Sequence, residues 1–354
     1  MSKDKKSSNS NLHKANRAKK DEFYTQLIDI EKELNYYKEQ FKGKVIYCNC
    51  DDPFESNFFK YFTLNFKSLG LKRLIATSYK PSPIANTQLT LLDNNVTLMS
   101  VKGHPKVTAN KFIINEVGDI DGDNKFDLKD IAKQLKINRN NEWTPLEGDG
   151  DFRSSESVEL LKQADIVVTN PPFSLFREYV AQLVRYNKRF LIIGNINAIT
   201  YKEIFKLIKE NKVWLGINMG RGISGFIVPN HYELYGTETR VDDFGNRIIS
   251  PNNCLWLTNL DTPKRHEDIV LTKKYRGNEI NYPKFDNYDA INVNKTRDIP
   301  MDYDGVVGVP ITFLHKYNPQ QFELIKFRKG NNNKDLSING RCPYFRILIK
   351  NKRL

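Results

Sequence analysis

Between residues 44 and 211, short apolar runs alternate with amphipathic segments, and few folds accommodate this alternation. The apolar runs predict buried strands, at KVIYCNC (44–50), LKRLIATSY (71–79), DIVVTN (165–170) and RFLIIGN (189–195). Strands that are apolar throughout and are joined by helices form a parallel sheet that is covered on both faces. The predicted fold class is therefore α/β.

Amphipathic segments predict the helices that cover this sheet. The first predicted helix has Ile28, Leu34, Tyr37 and Phe41 on one face and ends at Gly43. The second is capped by Ser56 or Asn57 and runs through Phe58, Phe59 and Phe62. A third helix runs through Phe176, Tyr179, Val180 and Leu183, and a fourth covers residues 201–211. Residues 80–148 are polar and predict an irregular insertion with a short helix of its own. From residue 216 the alternation ends, and mixed strands and loops are expected, including LWLTNL (255–260), VVGVPITFL (306–314) and YFRILIK (344–350).

The excess positive charge lies at the two ends of the chain. Residues 1–20 carry seven Lys or Arg and one Asp, and residues 261–354 carry eighteen basic and eleven acidic residues. Residues 21–260 carry thirty of each, so the net charge of +13 comes from the ends alone. A neutral core with basic flanks is typical of a protein that binds a polyanion such as nucleic acid. A basic tail and a solvated surface would have the same charge pattern.

The chain divides into three predicted parts. Residues 1–20 predict a disordered basic arm, because they contain almost no apolar side chains. Residues 21–215 form the predicted core, with the insertion at 80–148. Residues 216–354 complete that core and add a second region.

Membrane, secreted and zinc proteins are disfavoured by composition. No run approaches the roughly 18 to 20 apolar residues that span a bilayer, and the start MSKDKKSSNS has no apolar signal-peptide centre. Four scattered cysteines make no disulfide framework, Cys48-x-Cys50 lacks the usual zinc spacing, and the five histidines form no ligand-spaced cluster. These observations predict a soluble cytoplasmic protein that needs no metal.

The motif Asn170-Pro171-Pro172-Phe173 carries the strongest chemical signal. Its two prolines remove two backbone N–H donors and leave carbonyl oxygens free at the end of a predicted strand. The Asn170 oxygen and the Pro171 carbonyl can accept both hydrogen bonds of one planar amino group, which makes its nitrogen lone pair available to an electrophilic methyl group. Phe173 offers a stacking face worth about 1–3 kcal/mol per base. The alternative is a strand-to-helix turn in which Asn170 is the cap.

Three other segments combine acceptors with aromatic rings. Asp52-Pro53-Phe54 follows the first predicted strand, Asp151-Phe152 precedes the strand that ends in the proline motif, and Phe23-Tyr24-Thr25 precedes the first helix. In parallel sheets, ligands bind beyond the carboxyl ends of the strands. We therefore expect a small cofactor there, although Asp52 could also be an ordinary helix cap.

The order of these motifs resembles the amino-methyltransferases that use S-adenosylmethionine, and longer runs resemble the EcoRI-type adenine-specific DNA methyltransferases of type II restriction–modification systems. The resemblance covers nearly the whole chain outside residues 80–145. It rests on DEFYTQ, YCNCDDP, SNFFKYF, GDGDFRSSES, DIVVTNPPFSLFREY, ITYKE, GFIVP, HYELYGTE, NRIISPNNCLWLTNL, YDAINVNKT and CPYFRILIKNKRL.

This resemblance implies a Rossmann-like S-adenosylmethionine-dependent methyltransferase sheet with a C-terminal mixed strand and loop region for DNA recognition. It implies methyl transfer to adenine N6 in a short palindromic duplex, with GAATTC as the expected site and the second adenine as the target. The base would be flipped out of the duplex, and transfer would be direct. A monomer is expected, and a cognate restriction endonuclease encoded nearby is a possible partner.

The resemblance also implies roles for individual residues. Asn170, Pro171, Pro172 and Phe173 would hold and stack the adenine. The cofactor would be bound by Phe23, Tyr24, Thr25, Asp52, Pro53, Phe54, Asp151 and Phe152. Two departures weaken the cofactor assignment: the turn over residues 52–58 lacks the usual glycines, and the second strand ends in Thr77-Ser78-Tyr79 without an acid for the ribose hydroxyls.

Basic residues are the predicted DNA contacts. Arg221, between two glycines in GRGISG (220–225), is a candidate base reader, or else part of a flexible surface loop. The arm residues Lys14, Arg17, Lys19 and Lys20 are expected to contact phosphates without choosing sequence.

Several alternatives stay open at this point. Asp119 to Asp130 follow the spacing of a calcium loop, but Asn124 replaces the turn glycine and Asp130 the usual Glu, so an acidic turn is the other interpretation. The substrate could be an RNA adenine or a protein glutamine amide, because the proline motif fits any planar amino group. The chain could also be a DNA-binding relative that has lost catalysis.

Overall fold

In the computed structural model, the residues described are 24–50, 56–79, 109–119, 140–228, 239–243, 245–250 and 253–354, with strand residues 87–88 and 99–100 and helical residues 130 and 133. They form two compact units. The first contains the chain up to Ala198 and Asn218–Leu260, and the second contains Ile199–Ile217 and Asp261–Leu354. This grouping does not follow a single cut at residue 215, and the functions assigned to the three predicted parts stay predictions. The described residues contain no helix that is both long and apolar enough to cross a membrane.

The main sheet of the first unit contains all four predicted strands. Its strands are β2 (Val45–Cys48), β3 (Arg73–Thr77), β6 (Asn110–Ile114), β7 (Glu142–Pro145), β8 (Ile166–Thr169), β9 (Arg189–Asn195) and β14 (Cys254–Thr258). Within this unit they lie in the order β14-β9-β8-β2-β3-β6-β7. The strands β9, β8, β2 and β3 are mutually parallel, as predicted, whereas β14, β6 and β7 are antiparallel additions at the edges.

Two of these edge strands correct the prediction for residues 80–148. The segment was expected to be irregular, but β6 pairs with β3 and β7 pairs with β6. Only Phe112, Ile113 and Ile114 of β6 are consecutively buried, and no residue of β7 is fully buried. Such short and half-polar runs have little periodicity, so the neighbouring strand decides that they are extended. The predicted helix of this insertion lies largely outside the described residues, as do the links around β4 (Thr87–Gln88) and β5 (Met99–Ser100).

The helices of the first unit are α1 (Leu27–Leu34), α2 (Lys38–Phe41), α3 (Asn57–Leu64), α4 (Ser155–Gln163) and α5 (Phe176–Arg185). Ser56 caps α3, accepting a hydrogen bond from Phe59 N at 3.4 Å, which confirms one of the two predicted caps. Gly43 ends α2 with φ +69°, a conformation that favours glycine. Ile28 was wrongly assigned to the buried face, because it is 64% exposed and Ile30 takes its place in the core.

A second sheet in the first unit holds the segment before α1. It has the order β1-β11-β13-β12, and its strands are β1 (Tyr24–Thr25), β11 (Phe226–Val228), β12 (Thr239–Val241) and β13 (Arg247–Ile249). All its pairings are antiparallel, with Thr25 opposite Phe226. Long-range pairing of β1 with β11 thus carries Tyr24 and Thr25 to a fixed position.

The second unit has its own sheet, in the order β15-β16-β18-β17. The strands are β15 (Ile291–Asn292), β16 (Val307–Pro310), β17 (Phe322–Phe327) and β18 (Arg346–Asn351). Helix α6 (Lys202–Lys209) contacts β17 through Phe205 and Phe327, whose ring centroids are 5.2 Å apart. Strand β10 (Trp214–Met219) begins in this unit and ends in the first. Phe285, Ala290, Leu336 and Leu348, the last of them in β18, form a small core in this unit.

Candidate active site

The order of the parallel strands creates a crevice between β2 and β8. From β2 the chain continues to β3 on one side, and it later returns to place β8 and β9 on the other side. Ligands in open α/β sheets bind at such a reversal, outside the carboxyl ends of the strands. The residues that follow β2 and β8 are Asn49 and Asn170, so the predicted proline motif lies at this crevice.

Asn49 ties the two strand ends together. Its backbone carbonyl accepts a hydrogen bond from the Thr169 hydroxyl, and its side-chain oxygen accepts one from the Tyr179 hydroxyl of α5. All three residues are buried. Burial raises the pKa of Tyr179 well above its ordinary value, so this phenol stays protonated and acts as a donor. Cys50 then turns the chain with φ +75°, which ends the direction of β2 abruptly.

Asn170 is 7% exposed at the end of β8, and Pro171 beside it is also buried. The structure rules out the alternative in which Asn170 caps a helix. The 3-10 turn Phe173–Leu175 starts from Pro172 and α5 starts from Leu175, and neither has a side-chain cap. The motif is therefore a separate loop between β8 and α5.

Phe173 connects the proline motif to the segment before α1. Its ring is partly buried and contacts Phe226 edge-on, with centroids 6.1 Å apart and planes at 79°. Phe226 is the residue that pairs with Thr25. The backbone carbonyl of Thr25 also accepts a hydrogen bond from Asn57 Nδ2 at 2.8 Å, at the start of the helix that follows β2. Two predicted site residues from distant parts of the sequence, Thr25 and Phe173, are thus joined through Phe226.

The burial and hydrogen bonding of the Thr25 side chain indicate whether this region could bind a ligand. It is 1% exposed, and its hydroxyl has no hydrogen-bond partner among the residues that the structure describes. Leaving a buried hydroxyl unsatisfied costs about 1–3 kcal/mol. A polar group of a bound cofactor would remove that cost, so Thr25 fits the predicted cofactor role.

Asp151 and Phe152 lie in the loop before α4. Phe152 is buried against Tyr179, with ring centroids 5.0 Å apart, and this contact places it beside the Asn49 network. Asp151 forms a 2.6 Å ion pair with Arg153, whose hydrogen bonds hold the pKa of this carboxyl below its usual value. Gly150 adopts φ +77°, and a Cβ there would overlap the carbonyl of Ser78 at the end of β3. Close backbone approach thus fixes this loop at the carboxyl edge of the sheet.

Other predicted site residues lie outside the described part of the chain. They are Phe23, Asp52, Pro53 and Phe54 of the cofactor set and the arm residues Lys14, Arg17, Lys19 and Lys20. Most of the acidic loop from Asp119 to Asp130 also lies outside it. Within the described residues, His, Cys, Asp and Glu form no group of three that could hold a metal ion.

Arg221 is exposed on a loop that two buried carboxylates anchor to α1. Asp29 accepts hydrogen bonds from Ser224 N at 2.9 and 3.0 Å and from Ser224 Oγ at 2.8 Å. Glu33 accepts from the backbone and side-chain nitrogens of Asn218, both at 2.8 Å. Burial raises the pKa of Asp29. The GRGISG segment therefore belongs to the first unit, and hydrogen bonds at Asn218 and Ser224 fix the chain on both sides of Arg221. These bonds disfavour the flexible-loop interpretation.

Sequence reasoning missed Asn49, Asp29 and Glu33. Asn49 is an unremarkable residue in YCNC, and only the strand order shows what it joins. Asp29 and Glu33 are four residues apart on α1, a spacing that is usual on solvated faces. A signal was available, because a helical face built on Ile30 and Leu34 instead of Ile28 places both acids at its buried edge.

Comparison with known proteins shows the family of the chain. The family model described as adenine-specific methyltransferase EcoRI matches residues 11–352. The chain is 61% identical to the type II methyltransferase M.EcoRI of Escherichia coli, with 97% of each chain covered. It is 38% identical to the type II methyltransferase M.MgeORF184P of Mycoplasma genitalium, with 97% of this chain and 100% of that one covered. No solved structure matches the chain.

These matches confirm the predicted enzyme class and activity, sequence-specific adenine methylation in DNA, and they leave no support for a relative without catalysis. An enzyme of this class needs a methyl donor and acts on DNA. From its sequence, its strand order and its relatives, the chain therefore belongs to the EcoRI family of adenine-specific methyltransferases.

Proposed function

We propose that this enzyme transfers a methyl group from S-adenosylmethionine to N6 of the second adenine in GAATTC within duplex DNA. One observation carries the chemistry: Asn170 and Phe173 lie beyond the end of β8 at the strand-order reversal, where Asn170 has no capping role. The identity of 61% to M.EcoRI supports the choice of site.

The proline motif holds the target base in this proposal. The Asn170 side-chain oxygen and the Pro171 carbonyl accept the two N–H bonds of the adenine amino group. Pro172 fixes the loop, and Phe173 stacks on the base. Because the amino nitrogen is then held with its lone pair toward the donor, no covalent enzyme intermediate is required.

The target adenine has to leave the duplex before it can reach this loop. Flipping costs a few kcal/mol, and stacking on an aromatic ring returns about 1–3 kcal/mol. Phe226 contacts the Phe173 ring edge-on, and this contact keeps the Phe173 ring in position for stacking. The two hydrogen bonds to the amino group offset part of the remaining cost.

The donor is proposed to bind beside the motif. Its sulfonium centre makes the methyl group reactive, so the protein mainly aligns the reactants and excludes water. Thr25 offers a buried hydroxyl without a partner among the described residues, and Asp151 and Phe152 lie at the same edge of the sheet. Tyr24, next to Thr25, and the residues Phe23, Asp52, Pro53 and Phe54 complete the proposed set.

The wider setting follows from the restriction–modification class. A monomer suffices for an enzyme that modifies one strand at a time, and a cognate endonuclease encoded nearby would need the same site protected. DNA as the substrate agrees with a cytoplasmic location.

Methyl transfer to genomic DNA tests the proposal directly. The protein is incubated with labelled S-adenosylmethionine and unmodified DNA, the product is digested to nucleosides, and modified adenines are mapped by sequence. We expect N6-methyladenine at GAATTC alone. A different palindrome would refute the proposed site and keep the reaction, whereas label in RNA or in protein glutamine, with none in DNA, would refute the substrate.

A further inference from the structure

The second unit contains an open cavity of about 520 Å³ that is distant in sequence from every residue assigned to the active site. Its lining is polar and includes Lys273, Lys274, Asn292, Asn294 and Asp298. Asn292 and Asn294 belong to the run YDAINVNKT, a segment that carries the family resemblance and contains none of the residues assigned to the active site. Two residues of this run, Asn292 and Asn294, therefore line the cavity.

A buried arginine lies directly behind the two asparagines. Arg346 is 8% exposed, and its Nε and Nη2 atoms donate to Asn292 Oδ1 and Asn294 Oδ1, both at 2.8 Å. Its third acceptor is the backbone carbonyl of Tyr344. All these acceptors are neutral, and no described carboxylate forms an ion pair with Arg346. A buried charge without a counter-ion is costly, and arginine cannot lose its proton to avoid that cost.

The two asparagines connect the Arg346 guanidinium to the cavity through hydrogen bonds. Both side-chain oxygens accept hydrogen bonds from Arg346, and the Asn294 oxygen also accepts one from Asn292 Nδ2 at 3.1 Å. Asn294 is exposed, and its Nδ2 makes no hydrogen bond to a residue that the structure describes. The Asn294 amide donor, the two exposed lysines and the charge behind the asparagines favour an anion.

The single acid of this lining does not reverse that balance. Asp298 is 3.9 Å from the guanidinium of the neighbouring Arg297. The loop that carries both lysines is held in place, because Asp302 accepts hydrogen bonds from the backbone nitrogens of Tyr275 and Arg276 at 2.5 and 3.2 Å. The backbone next to the two lysines is thus held in place.

We infer that this cavity binds a phosphodiester group of the DNA backbone, with Lys273, Lys274 and Asn294 as the contacting side chains and Arg346 as a buried positioning charge. The site adds affinity without reading sequence. It rests on DNA as the substrate and not on the proposed recognition site or on the catalytic roles given to the proline motif.

The first test removes the two lysines from the full-length protein. Lys273→Ala/Lys274→Ala should weaken binding about tenfold and lower the slope of log affinity against log salt by about 1 for each phosphate that the variant no longer binds. The loss of affinity should be equal for a duplex that contains the sequence methylated by the enzyme and for a duplex that lacks this sequence. The matched control is Lys202→Ala/Lys350→Ala, which removes two exposed lysines of the same unit that do not line the cavity. An unchanged salt slope in the cavity variant would overturn the inference, as would a loss no larger than that of the control.

The second test separates anion binding from a structural role of Asn294. Asn294→Asp keeps an oxygen for Arg346 and gives it a counter-ion, so the melting temperature should be unchanged or higher. It also places a negative charge at the cavity, so DNA affinity should fall at least as much as in the lysine variant. Undiminished DNA binding by this variant would overturn the inference. A loss confined to the duplex with the site would show that the cavity reads a base and would refute a phosphate contact.

Discussion

Asn170 lies at the end of β8, next to a hydrogen-bond network that joins β8 to β2 through Asn49. The network explains how a loop residue can be held accurately enough for chemistry. Thr169 and Tyr179 fix Asn49 from two sides, and Thr169 is the direct neighbour of Asn170 in sequence. The position of the acceptor thus depends on rigid elements, which is what alignment of a reacting nitrogen requires.

Asn170→Ala should slow single-turnover methyl transfer by about 10²-fold or more, the order seen when one preorganised hydrogen bond at a reacting centre is removed. DNA affinity should change by less than about twofold, because Asn170 is not a phosphate contact. The matched control is Asn195→Ala, at the end of the neighbouring strand β9, where the side chain accepts from Asn197 N at 2.8 Å. Equal rates for the Asn170 variant and the wild type would refute the role given to Asn170.

Phe173→Ala should weaken capture of the flipped base by about 1–3 kcal/mol, the usual worth of one aromatic stack. A fluorescent adenine analogue at the target position reports flipping, and its signal should fall. Phe173→Tyr keeps the ring and is the control for altered packing against Phe226. If the tyrosine variant loses as much signal as the alanine variant, stacking is not the cause.

At the scale of elements, the loop from Gly148 to Phe152 depends on close backbone contact. Gly150 has φ +77° and leaves no space for a side chain beside Ser78. Gly148, two residues away, has open space around its Cβ position and no positive φ. The two glycines therefore form a matched pair.

Gly150→Ala should raise the KM for the methyl donor and lower the free energy of unfolding by about 1–2 kcal/mol or more, because a left-handed backbone costs that much for a residue with a Cβ. Displacement of Asp151 and Phe152 is the reason for the effect on KM. Gly148→Ala should leave both quantities near the wild type. The same KM in the two variants would contradict the proposed place of the cofactor.

Helix α1 carries the buried acids that hold the Arg221 loop, and one of them gives a prediction on pH. Burial raises the folded-state pKa of Asp29 above its ordinary value of 3.8. Between the two pKa values the folded protein keeps a proton that the unfolded chain has released. The contribution of Asp29 to the free energy of unfolding therefore increases as pH falls through this window and is constant below it.

The test compares the wild type with Asp29→Asn, which does not titrate. The free energy of unfolding of the wild type minus that of the variant, measured by denaturant titration, should increase as the pH is lowered from neutral toward about 4. A difference that stays constant, or that shrinks as the pH falls, would contradict the raised pKa.

At the scale of the whole molecule, charge separates DNA attraction from chemistry. Residues 21–260 contain equal numbers of acidic and basic residues, whereas residues 1–20 and 261–354 hold the entire positive excess. The proposed active site lies in the neutral part, and the proposed phosphate cavity lies in the basic C-terminal part. The two ends are therefore expected to contribute affinity separately.

Deletion of residues 1–20 should lower affinity for all duplexes by the same factor and flatten the salt dependence, by about 0.9 in the logarithmic slope for each phosphate that the shortened chain no longer neutralises. The affinity for a duplex that contains the sequence methylated by the enzyme, divided by the affinity for a duplex that lacks it, should stay the same. A changed ratio would show that the arm reads bases.

Most of the framework of the first unit could be predicted from local pattern. All four apolar runs are parallel strands, and Ser56, Gly43 and the face of α5 have their predicted roles. The order β9-β8-β2-β3 also agrees with the predicted parallel sheet that has the proline motif at its carboxyl edge. Such features depend on periodicity, capping and proline chemistry, which act over a few residues.

The sequence by itself thus determined the α/β class, the proline motif and the charge division. Only the tertiary structure decided that Asn49 joins β2 to β8, that β6 and β7 extend the sheet, and that Asp29 and Glu33 are buried. The same holds for Arg346 behind Asn292 and Asn294. Each of these depends on partners that are far apart in sequence, and burial or pairing by a distant residue overrides the local preference of a short polar segment.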